Sequence, residues 1–149
     1  MSKIRYRKIS SRIWCDAKFM SLSDDAQLLF LFVLTHPHMT SVGAMRSSIQ
    51  GLAAEKNWAV ERVAKGFGEL FRKGLLIACE RVNLIVAPNF IKHNQPENPN
   101  VVKAWRSVFD ELPECTLLYE HFQRVIDFLK GFAEPFAEPF LKGDRKSVV

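Results

Sequence analysis

The sequence predicts a mainly α domain carrying a small β-hairpin. Three observations predict it. Val60, Val63, Ala64, Phe67, Leu70 and Phe71 recur at the spacing of one helix face. The run Leu28–Leu34 follows Ser23, Asp24 and Asp25, residues that cap a helix and suit its positive end. Two short Ile/Val/Leu runs, Leu75–Cys79 and Leu84–Pro88, flank the polar Glu80–Asn83.

Taken in order, residues 1–20 are basic and punctuated by Tyr6, Trp14 and Phe19, which suggests an arm with Tyr6 as an anchor in the core. The first helix starts after Ser23 and stops before Pro37, because the residue ahead of a proline avoids the helical region. His36–Val42 is a loop, and Val42–Arg46 is a short strand. Ser47-Ser48-Ile49-Gln50 reads as a capping box opening a second helix that runs to about Lys56. Asn57-Trp58-Ala59 is a tight turn into the third helix, about 59–73, closed by Gly74. After the hairpin, Asn89–Asn100 is a polar loop. Asn98 and Pro99 open a fourth helix over 99–111. A fifth, about 115–130, stripes Leu118, Phe122, Val125 and Leu129. Phe132-Ala133-Glu134-Pro135 then repeats as Phe136-Ala137-Glu138-Pro139, and Phe140 begins a third copy. A proline every four residues predicts a flexible, extended tail over 131–149.

Helix, short strand, helix, turn, helix and hairpin is the order of a winged helix-turn-helix, here followed by two further helices. The expected organisation is an arm (1–20), the winged-helix domain (21–98), a packed helical extension (99–130) and the tail. In that arrangement the third helix projects toward the DNA major groove and the hairpin reaches backbone or minor groove. With its apolar stripe buried, Arg62, Lys65 and Glu69 point outward, flanked by Glu61, Arg72 and Lys73. Such a face is normally just solvated, and Glu61 and Glu69 dilute its field. The charge distribution adds weight to the DNA reading. Lys3, Arg5, Arg7, Lys8 and Arg12 supply the whole formal charge of +5, and the other 137 residues balance to zero. The expected contacts with double-stranded DNA are therefore Lys3, Arg5, Arg7, Lys8, Arg12, Arg46, Asn57, Arg62, Lys65, Arg72, Arg81 and Lys92.

Other classes find little support. The 149 residues suit one domain, and no apolar run approaches the ~18 residues of a membrane span. Nothing resembles a secretory signal. Cys15, Cys79 and Cys115 are odd in number and far apart, which points to reduced thiols in the cytoplasm, here in association with the nucleoid. No catalytic constellation emerges, so no enzymatic activity is expected. His36 and His38 flank Pro37 without a companion ligand cluster, so neither a metal nor a cofactor is expected. Trp58 and Trp105 read as core plugs at helix boundaries.

The chain resembles the N-terminal region of phage and prophage replication-initiation proteins, the replisome organisers, over about residues 5–130. The matching pieces are Leu22-Ser23-Asp24-Asp25-Ala26-Gln27-Leu28-Leu29-Phe30, Leu34-Thr35-His36-Pro37-His38, Val42-Gly43-Ala44-Met45-Arg46 and Trp58-Ala59-Val60-Glu61-Arg62-Val63. Gly74-Leu75-Leu76 and the most distinctive stretch, Pro88 to Trp105, complete the match. The resemblance implies a winged helix that binds origin DNA and helps bring a replicative helicase or its loader. Relatives often continue into a helicase-interacting domain. This chain runs from the repeats to Val149, so the resemblance carries DNA binding further than recruitment. Two alternatives share the element order: a transcriptional regulator, homo-oligomeric through the fifth helix, and a protein-interaction module docking through the fourth and fifth.

Overall fold

The computed structural model describes residues 5–132 together with Glu138 and Phe140. Lys3 and the remainder of the expected tail lie outside the described residues. A 3-10 turn, Ser11–Cys15, leads into α1 (Ala17–Met20), whose first amides, at Lys18 and Phe19, donate to Asp16 Oδ1. Then come α2 (Asp24–Leu34), β1 (Ala44–Arg46), α3 (Ile49–Lys56), α4 (Val60–Arg72), β2 (Ile77–Cys79), β3 (Leu84–Val86), α5 (Phe90–His93), α6 (Pro99–Glu111) and α7 (Thr116–Leu129). No helix among the described residues is long and apolar enough to cross a membrane.

The fold is mostly helical around a three-stranded antiparallel sheet in the order β1-β3-β2. Met45 and Ala78 both face Ile85 across the ladder. The expected hairpin is present, and the short strand before it becomes the third member of the sheet. β3 is central and all three of its residues are buried.

Most helix ends obey the local chemistry. Ser23 Oγ accepts from Ala26 N, and Asn98 Oδ1 accepts from Val101 N with Pro99 at the first helical position. Asn57 and Gly74 both adopt positive φ, 57° and 71°, at the ends of α3 and α4. At Gly43 the φ is +80° and an added Cβ would strike the Phe90 side chain, so this turn requires glycine.

Several expectations are corrected. Ser48, not Ser47, caps α3, accepting from Gly51 N at 3.0 Å. Ser47 N is committed to Asn83 O at 2.8 Å, across to the hairpin turn. The expected loop 89–100 contains α5, because Phe90 and Ile91 are buried and draw the backbone into a turn. Tyr6 is 86% exposed and anchors nothing. The α7 stripe is buried inside the chain, so it is not offered to a second copy. Phe140 was expected in an extended tail. It is instead buried between Phe109 and Phe122, with ring centroids 5.9 and 4.8 Å away. Arg106 Nη1 also donates to its carbonyl at 2.9 Å.

Two buried histidines tie the layers together. His36 Nδ1 accepts from His38 N and its Nε2 faces both Glu55 carboxylate oxygens at 2.9–3.0 Å, fastening the end of α2 to α3. His121, on α7, faces Val42 O through Nε2 at 2.6 Å and Arg124 Nη1 through Nδ1 at 2.9 Å. Only the neutral ring with its proton on Nε2 satisfies both contacts, since the arginine can only donate. Burial is the largest cause that pulls the His121 pKa down, to about 4.

Candidate nucleic-acid interface

Helix α4 is held by one face. Val63, Gly66, Phe67 and Leu70 are buried, and α4 crosses α2 closely at Gly66. A Cβ added there would lie 3.3 Å from Leu29 Cδ2 and 3.6 Å from Ala26 Cα. Glu61, Ala64, Lys65 and Arg72 are exposed on the other side. So are Val60 (41%) and Phe71 (59%), which the periodicity had assigned to the buried stripe together with Ala64. The buried arc is narrower than the sequence suggested because a glycine, not a bulky residue, makes the closest approach.

Arg62 does not point into open solvent. Its Nε and Nη2 donate to the two Asp25 oxygens at 2.7 and 2.8 Å, and its guanidinium lies 3.8 Å from the Trp58 ring centroid. Lys56 Nζ lies 4.9 Å from the same ring. The hydrogen bond from Arg62 holds the Asp25 carboxyl below the usual carboxylate range, helped by Arg62, Lys65 and Lys56 as charges. The same bond raises the Arg62 pKa. Glu69 is also turned back. It accepts from Ser23 N at 2.9 Å and from Ser23 Oγ, at the positive end of α2. Those bonds, followed by Arg72 and Lys65, keep its carboxyl low. The outward charge of α4 is therefore Lys65 and Arg72 against Glu61, and not the trio expected.

Arg81 is exposed on the turn Glu80–Val82, and Asn83 closes that turn at φ 55°. Asn57 is exposed, but its visible task is the left-handed turn between α3 and α4.

The arm is strapped down. Lys8 N donates to Asn94 Oδ1 at 2.8 Å, and Asn94 Nδ2 donates back to Lys8 O at 3.2 Å. Arg7 Nη2 donates to Met39 O, and its guanidinium sits 5.6 Å from the Phe90 ring centroid. Beneath this strap is a largely apolar cavity of about 200 Å³ with Phe19, Phe30, Leu34 and Phe90 in its wall. Arg12 and Lys92 are exposed.

A second concavity, about 510 Å³, is lined by Arg5, Arg7 and Arg46 together with His38, Thr40 and Ser41. Arg46 Nη2 donates to Glu111 O, the carbonyl at the end of α6, at 2.8 Å. Of the expected cations, Arg62 and Lys65 lie around Asp25, joined there by Lys56, and Arg5, Arg7 and Arg46 share the groove beside β1. Lys8 and Arg12 line the apolar cavity instead, and Arg72, Arg81 and Lys92 belong to neither group. Lys56, Trp58 and Asp25 were missed as partners of Arg62. The signal was present in the turn Lys56-Asn57-Trp58, but nothing along the chain links it to residue 25.

Cys79 and Cys115 also meet, as thiol partners between β2 and the start of α7. Burial chiefly raises the Cys115 pKa, with Cys79 adding to it. Among the described residues, no three His, Cys, Asp or Glu side chains gather as a metal site.

Compared with protein-family models, curated proteins and solved structures, the chain matches none.

Proposed function

We propose that this protein is a DNA-binding winged-helix module of a replication initiator of the phage or prophage type, acting on duplex DNA in the cytoplasm without catalysis. One observation carries the reading: α4 is locked to α2 at Gly66 on one side and presents Lys65 and Arg72 on the other. The tight turn at Asn57 before it and the hairpin with Arg81 after it supply the flanking parts of such a module. Phosphate neutralisation by these cations and by the arm accounts for affinity, and α4 for any reading of base edges. Bringing a helicase or its loader to the bound DNA belongs to the same proposal. The test is fluorescence anisotropy of a labelled duplex at ~50 mM and ~200 mM salt. Binding that weakens steeply with salt supports the reading. No binding at the lower salt, or binding indifferent to salt, overturns it.

A second reading, protein recognition through α4, is favoured by Val60, Ala64 and Phe71, which expose an apolar strip beside Lys65. Phe71→Ser separates the two. Loss of a protein partner with duplex affinity intact favours the second reading.

A further inference from the structure

We infer that the groove between the arm, the Met39–Ser41 segment and β1 is a preformed seat for one backbone phosphate of duplex DNA, gripped by Arg5, Arg7 and Arg46. The inference rests on the DNA-binding reading and adds to it a contact point away from α4.

The argument begins with how the guanidinium groups are held. Arg7 and Arg46 each donate one N–H to a main-chain carbonyl, at Met39 and Glu111. A guanidinium has five N–H donors in a rigid fork, so each retains several. A carbonyl partner fixes the head group without cancelling its charge, unlike the carboxylate that meets Arg62. Among the described residues no ion pair forms at Arg5, Arg7 or Arg46. Repulsion from Arg5 contributes, after burial, to lowering the Arg7 pKa, as two like charges held close together do.

The groove also has the polar furniture of an anion site. Thr40, Ser41 and His38 line it beside the arginines. Thr40 Oγ1 spends its own proton on Ala44 O, which leaves Ser41 and His38 as the further polar side chains beside the arginines. Glu111 is the one acid in the lining, three cations to one. A tetrahedral phosphate dianion or diester suits such a set, because planar forks bind its oxygens in pairs. Ordering costs are low, since the Lys8–Asn94 clasp already fixes the chain next to Arg7.

The test uses the full chain. Guanidinium Nε–Hε signals are followed during titration with inorganic phosphate, and duplex affinity is measured across salt for Arg5→Gln, Arg46→Gln and Lys65→Ala. The expected result is saturable phosphate shifts at Arg5, Arg7 and Arg46, abolished in Arg5→Gln and retained in Lys65→Ala. Duplex affinity should fall about tenfold in Arg5→Gln, and the slope of log K on log salt should shrink by about 0.9. Arg5 makes no hydrogen bond among the described residues, so its replacement does not threaten the fold as Arg46→Gln does. Wild-type duplex binding with an unchanged affinity and slope in Arg5→Gln overturns the groove and leaves the DNA reading standing. Failure of the wild-type chain to bind duplex overturns both.

Discussion

Arg62 and Asp25 form a two-pronged ion pair, 2.7 and 2.8 Å long, that joins α4 to the first turn of α2. The guanidinium carbon lies 3.8 Å from the Trp58 ring centroid at the same time, so the group is held from two sides. On the proposed DNA-binding reading, Asp25 occupies the Arg62 donors that a phosphate would otherwise take.

Removing that competitor should strengthen DNA binding. Asp25→Asn keeps the shape and deletes the charge, so duplex affinity is expected to rise several-fold and the salt dependence to steepen. Both side chains are about half exposed, and thermal stability should change little. Anisotropy titrations with a melting curve check both points. An Asp25→Asn protein with weaker binding would show that the pair positions Arg62 for contact.

Acid should loosen the junction between α7 and the Val42 turn. The folded His121 pKa is about 4, against an ordinary 6.5. The unfolded chain therefore takes up the proton first. Stability from this residue is complete above pH ~6.5, declines as pH falls toward 4 and is gone below that. The shift corresponds to about 3 kcal/mol. Urea midpoints between pH 7.5 and 4.5 should trace the decline, and His121→Gln should flatten it.

The two glycines of α4 should behave oppositely. Gly66→Val forces a branched side chain against Leu29 and the Ala26 backbone, and about 2 kcal/mol of stability should be lost. Gly68→Ala meets only the Arg72 head group, at 3.3 Å, which can swing aside. It should gain up to about 1 kcal/mol from helix propensity. Paired melting curves decide the matter.

Alkylation should follow burial. Cys15 is exposed, whereas Cys115 is buried and its thiol pKa is raised, so iodoacetamide at neutral pH should label Cys15 long before Cys115. Mass spectrometry of timed digests gives the order.

The elements legible in the sequence were those with local causes. Ser23, Asn98, Gly74 and the α6 and α7 stripes announce themselves within a few residues, and α6 begins and ends where the pattern says. What escaped depends on partners distant along the chain. Nothing near residue 62 reveals Asp25, and nothing near residue 69 reveals Ser23. The direction of a helix face was misjudged at Val60 and Phe71 because glycine contributes no hydrophobic signal, yet Gly66 makes the closest contact. The α5 turn hid among polar neighbours, its two buried residues being too few to set a period. The arginine groove collects residues 5, 7 and 46, which only the folded sheet and arm bring together.

The clasp between Lys8 and Asn94 gives the leading segment a second duty. Residues 7–13 form a roof over the cavity walled by Phe30, Leu34 and Phe90. A chain clipped behind Ser10 would lose more than cations: it would bare a greasy floor to water.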